Sequence, residues 1–156
     1  MLDRVDFPLT TSQISEFILD KGYTTYFRLQ SALAELTDSG LLKIELTHNR
    51  TLYNLTEEGA ATINYFRNKI SPEIRQEIDN FINEKKYDLK EEVSVKSDYY
   101  LNTNHEYEVK CQILENGSHL IDMTLTVPTQ TEAEAIVNYW NRKNQEIYAL
   151  LLSQLL

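Results

Sequence analysis

The chain has 156 residues, 42% of them hydrophobic, so it can form one ordinary domain or two small ones around a real core. No segment approaches the roughly 20 consecutive apolar residues of a membrane span, and the residues after Met1 do not resemble a signal peptide. A single cysteine, Cys111, excludes an intrachain disulfide and a thiolate metal cluster, and the expected location is a reducing cytoplasm.

The formal net charge of −9 excludes a simple basic nucleic-acid coat protein, but the charge is unevenly distributed. Residues 1–70 contain seven basic and nine acidic side chains, whereas residues 71–156 contain eight and 15. Between Lys21 and Thr56 four basic residues face three acidic ones. This small local excess is only weak support for contact with phosphates.

The first predicted helix begins after Thr10, because Thr10 and Gln13 have the spacing of a capping box, and it ends at Gly22. Residues 23–25 make a short connection to a second helix, which ends at Gly40. The apolar stripe of this second helix consists of Leu29, Leu33 and Leu36. Two short helices joined by a tight turn predict a helix-turn-helix.

A β-hairpin is predicted next, because residues 42–46 and 51–55 both alternate between apolar and polar side chains around a polar tip. Thr56 and the two glutamates after it then predict the start of another helix, over residues 60–70. Together these elements predict a winged helix-turn-helix domain over residues 1–70.

The beginning of this domain is unusual, because a winged helix normally has a helix before its helix-turn-helix pair. Met1–Val5 is too short to form that helix. We therefore expect the first helix to be truncated, with the chain beginning inside or just after it, or to be replaced by another element such as the helix that follows the domain. We expect no full helix packed ahead of Thr10.

That following helix begins at Ser71 and Pro72, a cap and a first-turn proline, and is expected to run to about Lys86. We interpret residues 71–88 as a connector between two domains. The connector would leave residues 89–156 for the second domain.

The second domain begins with three alternating segments, which predict an antiparallel meander. Asn116-Gly117 is a strong hairpin signal between the second and third strands. Thr129 and Glu132 have capping-box spacing and predict a long helix that covers the sheet. The strand faces that would point at this helix are Val93, Val95, Tyr99 and Leu101, then Tyr107, Val109, Cys111 and Ile113, then Ile121, Met123, Leu125 and Val127.

The predicted fold class is therefore α+β, a winged helix-turn-helix followed by a small βββα domain. We expect the βββα domain to serve dimerisation or effector binding. The apolar segment Leu150–Leu156 exceeds what one small sheet can cover, which favours a homodimer. The opposite face of the sheet carries mixed charge, and it is either solvated or a contact surface.

Two resemblances support the first domain. One pattern resembles the recognition helix, wing and post-wing helix of bacterial winged-helix regulators, broadly the MarR-like and PadR-like groups: Leu33-x-x-Leu36-x-x-x-Gly40-Leu41-Leu42 with Arg50-x-x-Tyr53-x-Leu55-Thr56-x-x-Gly59. The other covers nearly the whole chain and looks like a bacterial domain of unknown function, described only as a winged-helix DNA-binding protein and usually carrying an additional N-terminal helix. Its residues are Phe7–Thr10, Gln13–Leu19, Thr47–Tyr53 and Leu125–Pro128.

If the second helix enters a major groove, its face opposite the leucine stripe contacts DNA, with the N-terminal residues foremost. Arg28 would read guanine or hold a phosphate, and Phe27 would touch a thymine methyl. Thr24 and Thr25 would bind phosphate at the start of the helix, and Ser31 lies on the same face. The alternative is a solvated surface helix whose Phe27 packs on a neighbouring domain.

The hairpin supplies the other candidate DNA contacts: Lys43 on its first strand and His48, Asn49 and Arg50 at its tip. A polar tip is also what any hairpin turn requires. Arg50 is the best candidate of the three tip residues, although it would alternatively bond locally and brace the hairpin.

Patterns for catalysis and metal binding are absent from the sequence. His48, His105 and His119 fall in three separate predicted turns, so no metal site is expected. Cys111 lies on an apolar strand face, where burial would raise its thiol pKa and make it a poor nucleophile. We therefore expect neither an enzyme nor a cofactor.

The leading interpretation is a transcriptional regulator whose dimer binds double-stranded DNA, with an effector as a further partner. The alternative is a winged helix that binds another protein and no DNA.

Overall fold

The structure is a computed structural model that describes residues 1–47, 50–115 and 118–156. Within these residues the chain forms five α-helices and two three-stranded antiparallel sheets, so the fold mixes α and β structure. The chain divides into two compact units. The first contains Met1–Leu46 and Arg50–Val93, and the second is built mainly from Ser94–Leu156.

The first unit contains one of the sheets, with strand order β1-β3-β2, and most of the helices. A 3-10 turn at Leu2–Arg4 precedes the regular elements, and a second one covers Arg67–Lys69. The elements are β1 (Leu9–Thr10), α1 (Thr11–Asp20), α2 (Tyr26–Asp38), β2 (Leu42–Leu46), β3 (Thr51–Leu55), α3 (Glu57–Phe66) and α4 (Pro72–Ser94). Leu9, Ile14, Leu29, Leu33, Leu42 and Tyr53 form one buried apolar cluster.

The residues ahead of Thr10 form the 3-10 turn at Leu2–Arg4 and the first residue of β1. Strand β1 itself was not predicted. Its residues Leu9 and Thr10 pair with Tyr53 and Leu52 of β3. A two-residue strand carries too short a pattern to be recognised before its partner is known.

Helix α4 extends further than the sequence indicated, because it continues past Lys86 to Ser94. The reason is that Leu89 and Val93 continue the buried stripe of Ile82 at helical spacing. The assignment of Val93 to a strand face was therefore wrong. The first strand of the second sheet begins two residues later, at Val95.

The second unit contains β4 (Val95–Leu101), β5 (Tyr107–Glu115), β6 (Ser118–Val127) and α5 (Gln130–Leu155), and its strand order is β4-β5-β6. The predicted capping box is present, because the Thr129 side chain accepts a hydrogen bond from the Glu132 amide and the Glu132 carboxylate accepts one from the Thr129 amide. The hairpin signal at Asn116-Gly117 lies outside the described residues.

The core of the second unit lies between the sheet and α5. Val109, Cys111, Ala133, Val137 and Trp140 are its buried residues, and the strand faces predicted for β5 and for most of β6 pack against them. Leu101, predicted to share the corresponding face of β4, is instead exposed. None of the helices described here is both long enough and apolar enough to cross a membrane.

Candidate nucleic-acid interface

Helix α1 is fixed at both ends by local hydrogen bonds, and its second end leads into the turn before α2. The Thr10 hydroxyl accepts from the Gln13 amide at 3.1 Å, and the Gln13 side-chain oxygen accepts from the Thr10 amide at 2.9 Å. At the other end of α1, Gly22 has φ +69° and donates its amide to the Leu19 carbonyl at 2.9 Å. A left-handed residue at this position turns the chain away from the helix axis. Helix α2 therefore starts only a few residues after α1 ends.

Helix α1 also packs against α4 along its length. The side-chain amide of Gln13 donates to the Leu89 carbonyl at 3.1 Å and to the Glu92 carboxylate at 2.8 Å. Nearer the end of α1, the Phe17 ring lies 5.0 Å from the ring of Phe81. Gln13 is almost fully buried, so these bonds satisfy an amide that would otherwise be costly to bury.

Helix α2 shows one buried side and one exposed side. Leu29 and Leu33 of the predicted stripe are buried, whereas Leu36 is partly exposed. Phe27 is 83% exposed, and Arg28 and Ser31 beside it are exposed as well. The face that the sequence assigned to DNA contact is therefore accessible within this chain.

The threonines before α2 are placed at its N-terminus. Thr25 is the N-cap residue and is exposed, but its side chain makes no capping hydrogen bond. Thr24 is half-buried. The Thr25 hydroxyl is therefore the more accessible of the two for a phosphate.

Tyr26 was missed by the sequence analysis. It is the first residue of α2, is 53% exposed and forms an edge-to-face contact with Phe27 at 5.9 Å between ring centroids. Its position in the first helical turn, next to two candidate residues, was the signal that could have identified it. The start of α2 thus presents two exposed aromatic rings beside a guanidinium group.

Arg28 and Lys43 are exposed and make no hydrogen bond or ion pair with any residue that the structure describes. Four other cations of the first unit are paired with acids. The pairs are Arg4 with Asp79 at 3.0 Å, Lys21 with Glu77 at 3.5 Å, Arg67 with Asp3 at 2.6 Å, and Lys85 with Glu16. Arg28 and Lys43 are therefore available to an anionic partner.

Arg50 is placed differently from these two residues. It is half-buried, and its Nη1 donates to the backbone oxygen of Glu92 at 2.6 Å. This contact corresponds to the alternative interpretation, in which Arg50 braces the hairpin. The other two tip residues, His48 and Asn49, lie outside the described residues.

The first unit also contains an apolar cavity of about 330 Å³. Its lining includes Leu33 and Leu36 of α2 and Ile63 and Phe66 of α3. The volume is at the lower end of the range for small-molecule sites. Asp3, an acidic residue in the lining, is already paired with Arg67.

The other side chains that the sequence singled out for chemistry are Cys111 and the histidines. Cys111 is fully buried, and this burial raises the pKa of its thiol to about 11. His105 and His119 are exposed, and His119 lies 3.7 Å from the Asp122 carboxylate. Within the described parts of the chain, no three His, Cys, Asp or Glu side chains are grouped so that they could hold a metal ion.

These features define a two-unit protein with an accessible helix face and a neighbouring hairpin. The family described as Domain of unknown function (DUF4364) matches residues 1–155, so the chain belongs to this family. The resemblance to a domain of unknown function is thereby confirmed. No curated protein and no solved structure matches the chain.

Proposed function

We propose that the first unit is a winged helix-turn-helix that binds double-stranded DNA, and that the protein is a transcriptional regulator. In this proposal α2 is the recognition helix and the β2–β3 hairpin is the wing. The observation that carries it is the accessible start of α2, where Arg28, which pairs with no residue that the structure describes, lies beside an exposed Phe27.

The order and packing of the elements support this proposal. Two short helices are joined by a tight turn, and a two-stranded antiparallel hairpin follows the second helix. A helix-turn-helix places its second helix in the major groove and uses the N-terminal residues of that helix to contact bases. Helix α4 packs on α1, as expected if it takes the place of the first helix of a winged-helix core.

Each accessible polar residue has a distinct role in the proposed complex. Arg28 donates to guanine or to a phosphate, and Thr25 donates to a phosphate at the start of α2. Lys43 contacts the backbone from the wing. Arg50 is a positioning residue, because its bond to Glu92 fixes the start of β3.

The acidic composition limits how strong the electrostatic part of binding can be. The two candidate cations of the interface, Arg28 and Lys43, neutralise about two phosphates per protomer, so the logarithm of the binding constant should fall with the logarithm of salt at a slope of about −2 per protomer. A dimer that places two α2 helices in successive major grooves would double this dependence. Binding is therefore expected to be measurable at low salt and weak at high salt.

Fluorescence anisotropy with duplexes from the upstream region of the protein's own gene tests the proposal. The wild type should bind at low salt, and Arg28→Ala should weaken binding about fivefold to tenfold, corresponding to roughly 1–1.4 kcal/mol. Lys86→Ala is the matched control, because Lys86 is an exposed cation on α4. Equal affinities for the wild type and Arg28→Ala would contradict the role given to α2.

A second candidate function is a winged helix that binds another protein. The exposed pair Tyr26 and Phe27 favours it, because aromatic residues are enriched in the cores of protein interfaces. The net charge of −9 favours it as well, since it opposes association with DNA. Absence of duplex binding at low salt, with a folded protein, would favour this function over the regulator.

A further inference from the structure

Strand β6 is an exposed edge of the second sheet. It pairs with β5, and no other described strand pairs with its second side. Seven of its ten residues are exposed. An edge strand presents backbone N–H and C=O groups that can pair with a strand from another chain.

Beyond residue 120, this edge lacks the features that usually prevent such pairing. Ser118–Val127 contains no lysine, arginine or proline, and Asp122 is its single acidic residue. Strand β4, at the opposite edge, carries Lys96 and Asp98. Proteins commonly protect an edge with charged side chains, proline or a bulge. The register shift between Ile113 and Leu114 leaves Leu120 of β6 as an extra residue, which is a bulge near the start of the strand, and pairing is regular from Ile121 to Val127.

The helix-facing side of β6 is also incompletely covered. Val109 and Cys111 of the central strand are fully buried, but Leu125 is exposed and Ile121 and Met123 are half-buried. Beside them lies a cavity of about 360 Å³ whose lining includes Met123, Leu125 and Tyr139 of α5. Tyr139 is 57% exposed. The apolar surface of the sheet therefore continues to its open edge.

We propose that the occupant of this edge is a second copy of this chain, paired through β6 in antiparallel orientation about a twofold axis at Thr124. The two sheets then form one six-stranded sheet. Thr124 is the middle residue of the regular segment Ile121–Val127, so this register pairs the whole segment with itself.

The register is self-complementary on both faces of the sheet. On the helix side Met123 is opposite Leu125, and Ile121 is opposite Val127. On the other side Asp122 is opposite Thr126, whose hydroxyl can donate to the carboxylate, and Thr124 is opposite its own copy. Residues directly opposite each other in antiparallel strands are the pairs that stabilise or oppose association. The register keeps the two Asp122 carboxylates apart, and this match favours a second copy over an unrelated strand.

The proposal rests on the second unit alone and does not depend on DNA binding. Thr124→Glu is the informative variant, because Thr124 is exposed and faces Lys110 of its own β5. The new carboxylate is therefore matched within one chain but lies opposite a second carboxylate across the twofold axis. Light scattering should show a dimer for the wild type and a monomer for Thr124→Glu, with unchanged circular dichroism.

Thr124→Cys supplies an independent measurement that does not require the glutamate variant to fold. Oxidation should give a disulfide-linked dimer for Thr124→Cys and none for Thr126→Cys, because the two Thr126 positions would lie about 13 Å apart along the strands. The buried native Cys111 leaves the background low.

Two results would overturn the proposal. One is a wild type that stays monomeric at all concentrations, together with a Thr124→Cys variant that gives no disulfide-linked dimer. The other is a dimer that survives Thr124→Glu but is dissociated by Leu155→Glu, which would assign the contact to the exposed end of α5. A dimer that forms through β6 but binds no duplex would support this inference and contradict the proposed DNA binding.

Discussion

The guanidinium group of Arg50 donates a hydrogen bond to the backbone oxygen of Glu92 at 2.6 Å. Arg50 immediately precedes β3, and Glu92 lies in the last turn of α4. The last carbonyls of a helix have no partner within the helix and carry partial negative charge, so a cation stabilises them. Because Glu92 also accepts from Gln13 of α1, one helix end connects the hairpin to the first helix.

We predict that Arg50→Ala lowers the free energy of unfolding by about 1–2 kcal/mol, because a hydrogen bond from a charged donor is lost. Urea denaturation followed by circular dichroism measures this change. Lys86→Ala is the control and should leave stability within about 0.5 kcal/mol of the wild type. If Arg50→Ala were as stable as this control, the guanidinium would not brace the hairpin.

Gln13→Ala should destabilise the protein by about 2–3 kcal/mol. The substitution removes the side-chain acceptor of the capping box and the buried hydrogen bonds from the Gln13 amide to Leu89 and Glu92. Thermal unfolding monitored by circular dichroism measures the loss. Gln76→Ala is a matched control, since Gln76 is exposed and, within the residues that the structure describes, its side chain bonds to Asn80 one helical turn away. Similar melting temperatures for the two variants would contradict the role of Gln13.

Gly59→Ala should be more destabilising than Gly22→Ala. A Cβ at Gly59 would lie 2.1 Å from the Leu41 carbonyl oxygen and 2.8 Å from a Leu55 methyl carbon, so backbone must move. At Gly22 nothing lies within 4 Å, and the cost is confined to the positive φ, about 1–2 kcal/mol. Denaturant midpoints of the two variants provide the comparison. The reverse order would show that α3 does not approach Leu41 this closely.

Cys111 should make stability fall in alkaline solution. Its folded-state pKa of about 11 lies above the ordinary thiol value of 9.0, so the folded protein binds this proton more tightly than the unfolded chain. The contribution is complete below about pH 9 and is lost as pH rises toward 11. Because lysines and tyrosines also titrate there, the measurement is the difference in unfolding free energy between the wild type and Cys111→Ala across this range. A difference that does not change with pH would contradict burial of the thiol.

The sequence predicted those features that depend on neighbouring residues. Thr10 with Gln13, Thr129 with Glu132, and the glycines at 22 and 40 fix helix ends through contacts a few residues apart, and all four are present in the structure. The alternation of β5 and β6 was likewise sufficient to assign their faces, because a strand has a period of two.

The features that sequence did not predict depend on residues far apart in the chain. Gln13 contacts Leu89 and Glu92, which are 76 and 79 positions away, and no local pattern specifies such a partner. The same limitation applies to Arg50, because whether its side chain contacts Glu92 or is left to contact DNA depends on where α4 ends. The end of α4 was misplaced because Val93 and Val95 fit a strand alternation as well as a helix stripe.

Salt-dependent anisotropy is the decisive test of the proposal that α2 binds DNA through Arg28 at its start. The wild type should bind duplex with a negative slope against the logarithm of salt, and Arg28→Ala should weaken binding and reduce that slope by about one per protomer. Lys86→Ala should reproduce the wild-type slope. The claim would be contradicted if the wild type failed to bind at low salt, or if Arg28→Ala and the wild type had the same affinity and the same slope.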